Sequence, residues 1–296
     1  MPARDGLFEN TMGPWVTAAQ EFYTQTGVPV GLIGQAVGSK PIDFFYDSST
    51  HDPFFLRPLI ERYAQGAAVF YWYQGESDAF AQPQWEVYGD KLAGLVHAVR
   101  DVARNADLPV GIVQIARYTW WKDDHFAPVR EAQRQFVLHD PHAVLFSTMP
   151  YVVNASDKIH ITSAGQAALG KQIAAERVAF EKTGQLTPPG PMLKDVKFAG
   201  GDQTTIAVHF ENGHGLAGNA SADEWFVTDS VHRGFRDGGF VEIANITFGD
   251  GEVTIHLKSA PNGKAALSYG YRADTGGSLV NADGFPAACF VKVPVE

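Results

Sequence analysis

By polarity alone the chain divides into two textures. In the first two-thirds, short unbroken apolar runs alternate with amphipathic stretches. Residues 28–33 (VPVGLI), 67–73 (AAVFYWY), 110–116 (VGIVQIA) and 143–148 (AVLFST) are runs of strand length. Unbroken rather than alternating character suits strands covered on both faces of a parallel sheet. Between the runs lie helical patterns. Residues 84–104 place Trp85, Tyr88, Leu92, Leu95, Val96, Val99 and Val102 on one stripe, the spacing of a helix that buries a single face. Residues 13–26, 128–139 and 162–180 also read as helices, the last with Thr162 placed to cap it. This alternation predicts right-handed crossovers and a three-layer α/β domain.

The texture changes after residues 183–191 (TGQLTPPGP), where prolines and glycines follow a long helix and read as a linker. Beyond it, residues 204–210, 224–227, 240–246, 252–257 and 265–271 are short alternating segments. Gly200-Gly201, Asp237-Gly238, Asp250-Gly251 and Asn262-Gly263 supply turn pairs between them. That is the pattern of an antiparallel β module. The predicted organisation is an α/β domain over residues 1–185 and a β module over residues 186–296.

Composition narrows the function classes. With 45% hydrophobic and 19% charged residues in 296, the chain can bury a core and is not a disordered sequence. A formal charge of -10 argues against nucleic acid, whose phosphates call for clustered Lys and Arg. Cys289 is the single cysteine, so no intrachain disulfide or cysteine metal site is expected, and a buried small hydrophobe is its plain reading. No apolar run reaches the eighteen or so residues that a membrane helix needs. Residues 1–10 lack the apolar centre of a signal peptide.

Three segments at predicted strand ends could carry chemistry. Ser156-Asp157-Lys158-Ile159-His160 follows the last run of the α/β part and precedes a helix, at the carboxyl edge where sites of open α/β sheets gather. Asp157 can accept from one imidazole nitrogen of His160 and turn the other toward a hydroxyl. The bland alternative is a helix-capping Asp beside a surface His. Gln74-Gly75-Glu76-Ser77-Asp78 follows the 67–73 run; Gln74 could offer an amide to an oxyanion, or these polar residues simply cap the next helix. Gly34-Gln35-Ala36-Val37-Gly38-Ser39-Lys40 follows the 28–33 run and could expose the Gly38 amide to an oxyanion, or be only a turn.

In order and spacing, these blocks resemble the sialate O-acetylesterase and acetylxylan esterase branch of the SGNH (GDSL-like) hydrolases. The segment 71–78 (YWYQGESD) resembles the family's third block, 28–42 (VPVGLIGQAVGSKPI) its second and 157–165 (DKIHITSAG) its last. The tail 267–290 (LSYGYRADTGGSLVNADGFPAACF) is similar to the closing β segment of the sialate esterases. The resemblance implies a flavodoxin-like three-layer fold and hydrolysis of O-acetyl esters on sugars without metal or cofactor. His160 would be the general base and Asp157 its orienter, with Gln74 and the Gly38 amide in the oxyanion hole. It also implies a periplasmic or secreted setting and an acetylated carbohydrate as partner, with neither nucleic acid nor membrane.

The sequence departs from the family at its opening block, a strand ending in Gly-Gln-Ser-Asn or Gly-Asp-Ser. Residues 1–12 (MPARDGLFENTM) contain no serine and no buried strand. Gly34-Gln35-Ala36 could be that block with alanine in place of serine, although its surroundings match the second block better. Ser77, and after it Ser39, are fallback nucleophiles. The missing strand should lie between the 28–33 and 67–73 strands. Direct pairing of those two, another segment of this chain, or a strand from a second chain could close the gap; a bare, unfilled edge would count against this strand order. A non-catalytic protein that binds acetylated glycan is the competing function, with Trp72, Tyr118, Trp120 and Trp121 as candidate sugar-stacking aromatics. Phosphoryl chemistry is disfavoured by the lack of a Gly-rich phosphate loop or carboxylate cluster.

Overall fold

The computed structural model describes residues 13–63, 66–221 and 223–296; the expectation that residues 1–12 hold no buried strand lies outside that range. Strands β1 (Phe70–Trp72), β2 (Val110–Gln114) and β3 (Ala143–Ser147) form a parallel sheet in that order, with Trp72 beside Ile112 and Ile112 beside Leu145. β2 and β3 are buried at every position, as their unbroken apolar runs predict.

Among the described residues six α-helices accompany them: α1 (Trp15–Thr26), α2 (Arg57–Tyr63), α3 (Glu76–Ala79), α4 (Gln82–Ala103), α5 (Ala127–His139) and α6 (Ser163–Thr183). On one face Leu92, Leu95, Val96 and Val99 of α4 and Val129 of α5 pack with Ile112 and Leu145. On the other, Ala18 of α1 and Leu169 and Ile173 of α6 pack with Val113, Val144 and Phe146. Neighbouring residues of one strand thus serve opposite helix layers. Truncating a fully buried member such as Leu92 should cost about 2–5 kcal/mol. α1 and α6 approach closely at Gly170, where a Cβ would stand 2.6 Å from the Pro14 carbonyl oxygen. Thr162 caps α6 as expected, its hydroxyl accepting from the Gly165 amide.

The strand expected at residues 28–33 is not formed. Residues 27–37 have no regular structure, and Val28, Val30, Leu32 and Ile33 are 41–55% exposed. β1 spans three residues rather than the expected seven, and among the described residues it pairs with β2 alone. The reason is physical. A strand's N–H and C=O groups are satisfied by a neighbouring ladder, so an apolar run becomes a strand only where a partner lies alongside. Neither direct pairing nor another described segment closes the outer edge of β1.

The C-terminal part holds β4 (Met192–Phe198), β5 (Thr205–Glu211), β6 (Trp225–Thr228), β7 (Ile243–Phe248), β8 (Glu252–Leu257), β9 (Ala266–Tyr269) and β10 (Phe290–Pro294). They form two antiparallel sheets, ordered β4-β5-β8-β7 and β10-β9-β6. The segment expected at 240–246 forms two to three residues later, as β7. β4 was not expected, because Lys194, Asp195 and Lys197 break the apolar pattern of an edge strand. Among the described residues no helix is long and apolar enough to cross a membrane.

The two parts are joined by a fully buried arginine. The Arg130 guanidinium on α5 donates to the carbonyls of Ile115 and Ala116 in the α/β part and of Gly270, Arg272 and Ala273 in the β module. Burial pushes its pKa down to about 10, yet these carbonyls give the charge the hydrogen bonds that a buried ion requires. Beside it, the Gln114 side chain donates to the Cys289 carbonyl and accepts from the Cys289 amide. Cys289 is buried, as read from the sequence, and burial pushes its thiol up to about 12.

Candidate active site

Because β1, β2 and β3 are parallel, the loops at their carboxyl ends emerge on one edge of the sheet. After β3 the chain makes a narrow loop closed by a bridge between Val153 and Ile161. Inside it, the Asn154 amide donates to the His160 carbonyl and the Lys158 amide to the Asn154 carbonyl, each at 2.8 Å. Lys158 takes a left-handed conformation, with φ of 65°, which is uncommon for a residue with a side chain. The Asp157 carboxylate accepts from the amides of Ile159 at 3.1 Å and His160 at 3.0 Å, and meets His160 Nδ1 at 3.1 Å. Desolvation alone would raise its pKa, but these hydrogen bonds and the imidazole outweigh it and hold Asp157 below the usual carboxylate range. With Nδ1–H donating to Asp157, Nε2 is the basic ring nitrogen. The His160 side chain is 71% exposed, so it is reachable from solvent.

The segment after β1 is drawn to the turn after residue 37. Gln74 Nε2 donates to the Lys40 carbonyl at 3.0 Å and to Asp78. Asp78, fully buried, accepts from the Ile42 amide at 3.0 Å. Two of the three candidate segments therefore meet through side chain–backbone bonds that hydropathy does not reveal. Gly38 and Ser39 form a tight exposed turn immediately before Lys40, with Ser39 at φ 59°. Both N–H bonds of the Gln74 amide are engaged, and its buried Oε1 has no partner among the described residues. In this state Gln74 offers no donor to an oxyanion. Gly75 adopts φ 146°, and a Cβ there would stand 2.7 Å from Val129, so close packing against α5 requires glycine. Ser77 lies half-buried within α3.

Glu76 is the first residue of α3. Burial pushes its carboxyl up, partly offset by its own backbone amide. Its sequence signal was its place inside the YWYQGESD block. Of the candidate stacking aromatics, Trp72 is core, its indole donating to the Tyr88 hydroxyl. Tyr118 is buried and Trp121 partly buried, whereas Trp120 is 65% exposed.

A parallel sheet with helices on both faces and an aspartate–histidine contact in the loop after its last strand define a mixed α/β protein. More particularly, the chain belongs to the family described as carbohydrate esterase, sialic acid-specific acetylesterase, whose model matches residues 6–179. A solved structure of a carbohydrate acetylesterase from Xanthomonas citri resembles this chain with a TM-score of 0.74 at 21% identity, over 94% of this chain and 64% of that one. A protein from Arabidopsis thaliana resembles it with a TM-score of 0.51 at 23% identity, over 59% of this chain and 71% of that one. The chain thus spans about two-thirds of the Xanthomonas protein. No curated protein sequence matches it.

Proposed function

We propose that this chain hydrolyses O-acetyl esters on sugars, sialic acid or other acetylated glycans, with His160 as general base. The observation that carries the reading is the His160 Nδ1–Asp157 contact at the carboxyl edge of the sheet, in a chain of the acetylesterase family. A serine hydroxyl gives its proton to His160 Nε2 as its oxygen attacks the acetyl carbonyl. The sugar oxygen leaves with that proton, and water then releases acetate from the acetyl-serine by the same route. Asp157 keeps the ring in the correct tautomer and stabilises the imidazolium.

The first serine in the sequence is Ser39. We place the nucleophile on a strand seated along the open edge of β1 and contributed by a second chain or segment, with Ser77 as the fallback. The finer fold reading is a flavodoxin-like SGNH-type domain, residues 1–185, followed by the β module, residues 186–296. Release of Gln74 from Lys40, together with the Gly38 amide, would supply the oxyanion donors.

A second reading is a non-catalytic protein that binds acetylated glycan; the engaged Gln74 amide and the open β1 edge favour it. Release of acetate from 4-nitrophenyl acetate and from an O-acetylated sialic acid by the purified chain separates the two. Turnover abolished by His160→Ala supports the esterase; saturable binding without acetate release supports the second reading.

A further inference from the structure

Trp120 is the most exposed large hydrophobic side chain among the described residues. An indole facing water carries a large apolar area, and burial is available close by. Tyr118 packs against Phe80, Trp121 and Phe126, with ring centroids 5.2–5.5 Å apart, while Trp120 stands off at 6.0 Å from Tyr118. The loop that carries Trp120, between β2 and α5, is fixed from two sides. On one side, the Thr119 amide donates to the Lys158 carbonyl at 3.0 Å, which ties the loop to the turn bearing His160. On the other, the β module holds both of its ends. The Tyr118 amide donates to the Ala273 carbonyl and the Ala273 amide to the Asp123 carbonyl, each at 2.7 Å; the Tyr271 hydroxyl donates to Asp124 at 2.7 Å.

We propose that Trp120 is a stacking platform for the pyranose ring of the sugar whose ester lies at His160, and that Tyr271 and Ala273 of the β module hold it there. The inference rests on the esterase reading for the location of the acetyl group, and it adds how the sugar is recognised. A pyranose presents a flat C–H face with polar edges, and an exposed indole on the loop tied to the His160 turn matches that face without satisfying the hydroxyls, which stay in water. Tyr271 and Ala273 are positioning residues. The β module thereby acts on substrate recognition as well as on packing.

The test uses the full chain and two probes, an O-acetylated methyl glucopyranoside followed by calorimetry and the ringless ester ethyl acetate followed by acetate release. Trp120→Ala is expected to raise the pyranoside Kd at least tenfold, Trp120→Phe to restore it to within about threefold, and Tyr271→Phe to raise it about threefold, each a larger change than the same variant makes to turnover of the ringless ester. An unchanged pyranoside Kd in Trp120→Ala overturns the platform, as does a parent protein that binds no pyranoside. Equal losses on both probes overturn it too, because they mark a structural role. Trp120-dependent pyranoside binding with no acetate release supports the platform and sinks the esterase reading instead.

Discussion

Asp157-Lys158-Ile159-His160 and Asp229-Ser230-Val231-His232 build the same turn in two regions of the molecule. In each, the aspartate accepts from the amides two and three residues ahead and meets the histidine Nδ1 at 3.1 Å. The surroundings differ. The Asp157 side chain is 39% exposed and its histidine 71%, and the turn lies at the carboxyl edge of the parallel sheet. Asp229 follows β6 in the β module, its side chain fully buried, and it also accepts from the Asn262 amide at 2.7 Å. Burial works against its charge, but the amides of His232, Asn262 and Val231 prevail and drive its carboxyl far below the usual range. Four residues therefore suffice for an aspartate–histidine contact, and the tertiary address separates a solvent-exposed pair from one whose aspartate is buried as a clamp between two loops.

The largest expected difference between the turns is in activity. His160→Ala should lower acetate release on the order of 10³-fold or more, as loss of a triad base does, while His232→Ala should stay within about twofold. Equal losses in a steady-state assay would erase the distinction.

In stability the ranking should reverse. Asp229→Ala leaves buried amides unpaired and should cost about 1–3 kcal/mol, whereas Asp157→Ala, at a more exposed site, should cost under about 1 kcal/mol. Urea melts of the two variants decide it. The pH dependence sharpens the contrast. Because the folded pKa of Asp229 lies below its ordinary 3.8, its contribution is complete above that value and is lost as pH falls through the lower folded value. Asp229→Asn should therefore flatten the acid limb of a Tm–pH curve below about pH 4; an unchanged acid limb would mean that the amides do not favour the charged form.

A third carboxyl reverses the sign. Glu176 on α6 is buried, neither of its oxygens has a partner among the described residues, and burial raises its pKa from 4.5 to about 7. The unfolded chain gives up this proton near pH 4.5 and the folded chain resists until about 7, so stability falls across that window as pH rises, by up to about 3 kcal/mol. Glu176→Gln should melt higher than the parent at pH 8 and alongside it at pH 4.5. A Tm gap independent of pH would show that the carboxyl is already paired.

Much of the fold was legible because burial leaves a period in the sequence. The unbroken runs at β2 and β3, the α4 stripe and the alternation in β8 each reflect how many faces an element hides. Residues 28–33 carry the same signal as β2 and β3, yet they form no strand and lie exposed, because a strand also needs a partner, and partnership is not written in local polarity. Of the site, Asp157 and His160 could be read as a pair because three residues of spacing within a turn bring them together. The bonds of Gln74 to Lys40 and of the Ile42 amide to Asp78 and the anchoring of the Trp120 loop by Ala273 join residues far apart in the chain. By itself the sequence determined which elements could hide a face and which short turns could form, since both depend on neighbours within a few residues. Only the tertiary structure decided which runs became strands, which aspartate–histidine turn stands at the sheet edge and which carboxyls lie buried with or without donors, because hydrogen-bond partners and desolvation are supplied by segments that meet only when the chain has folded.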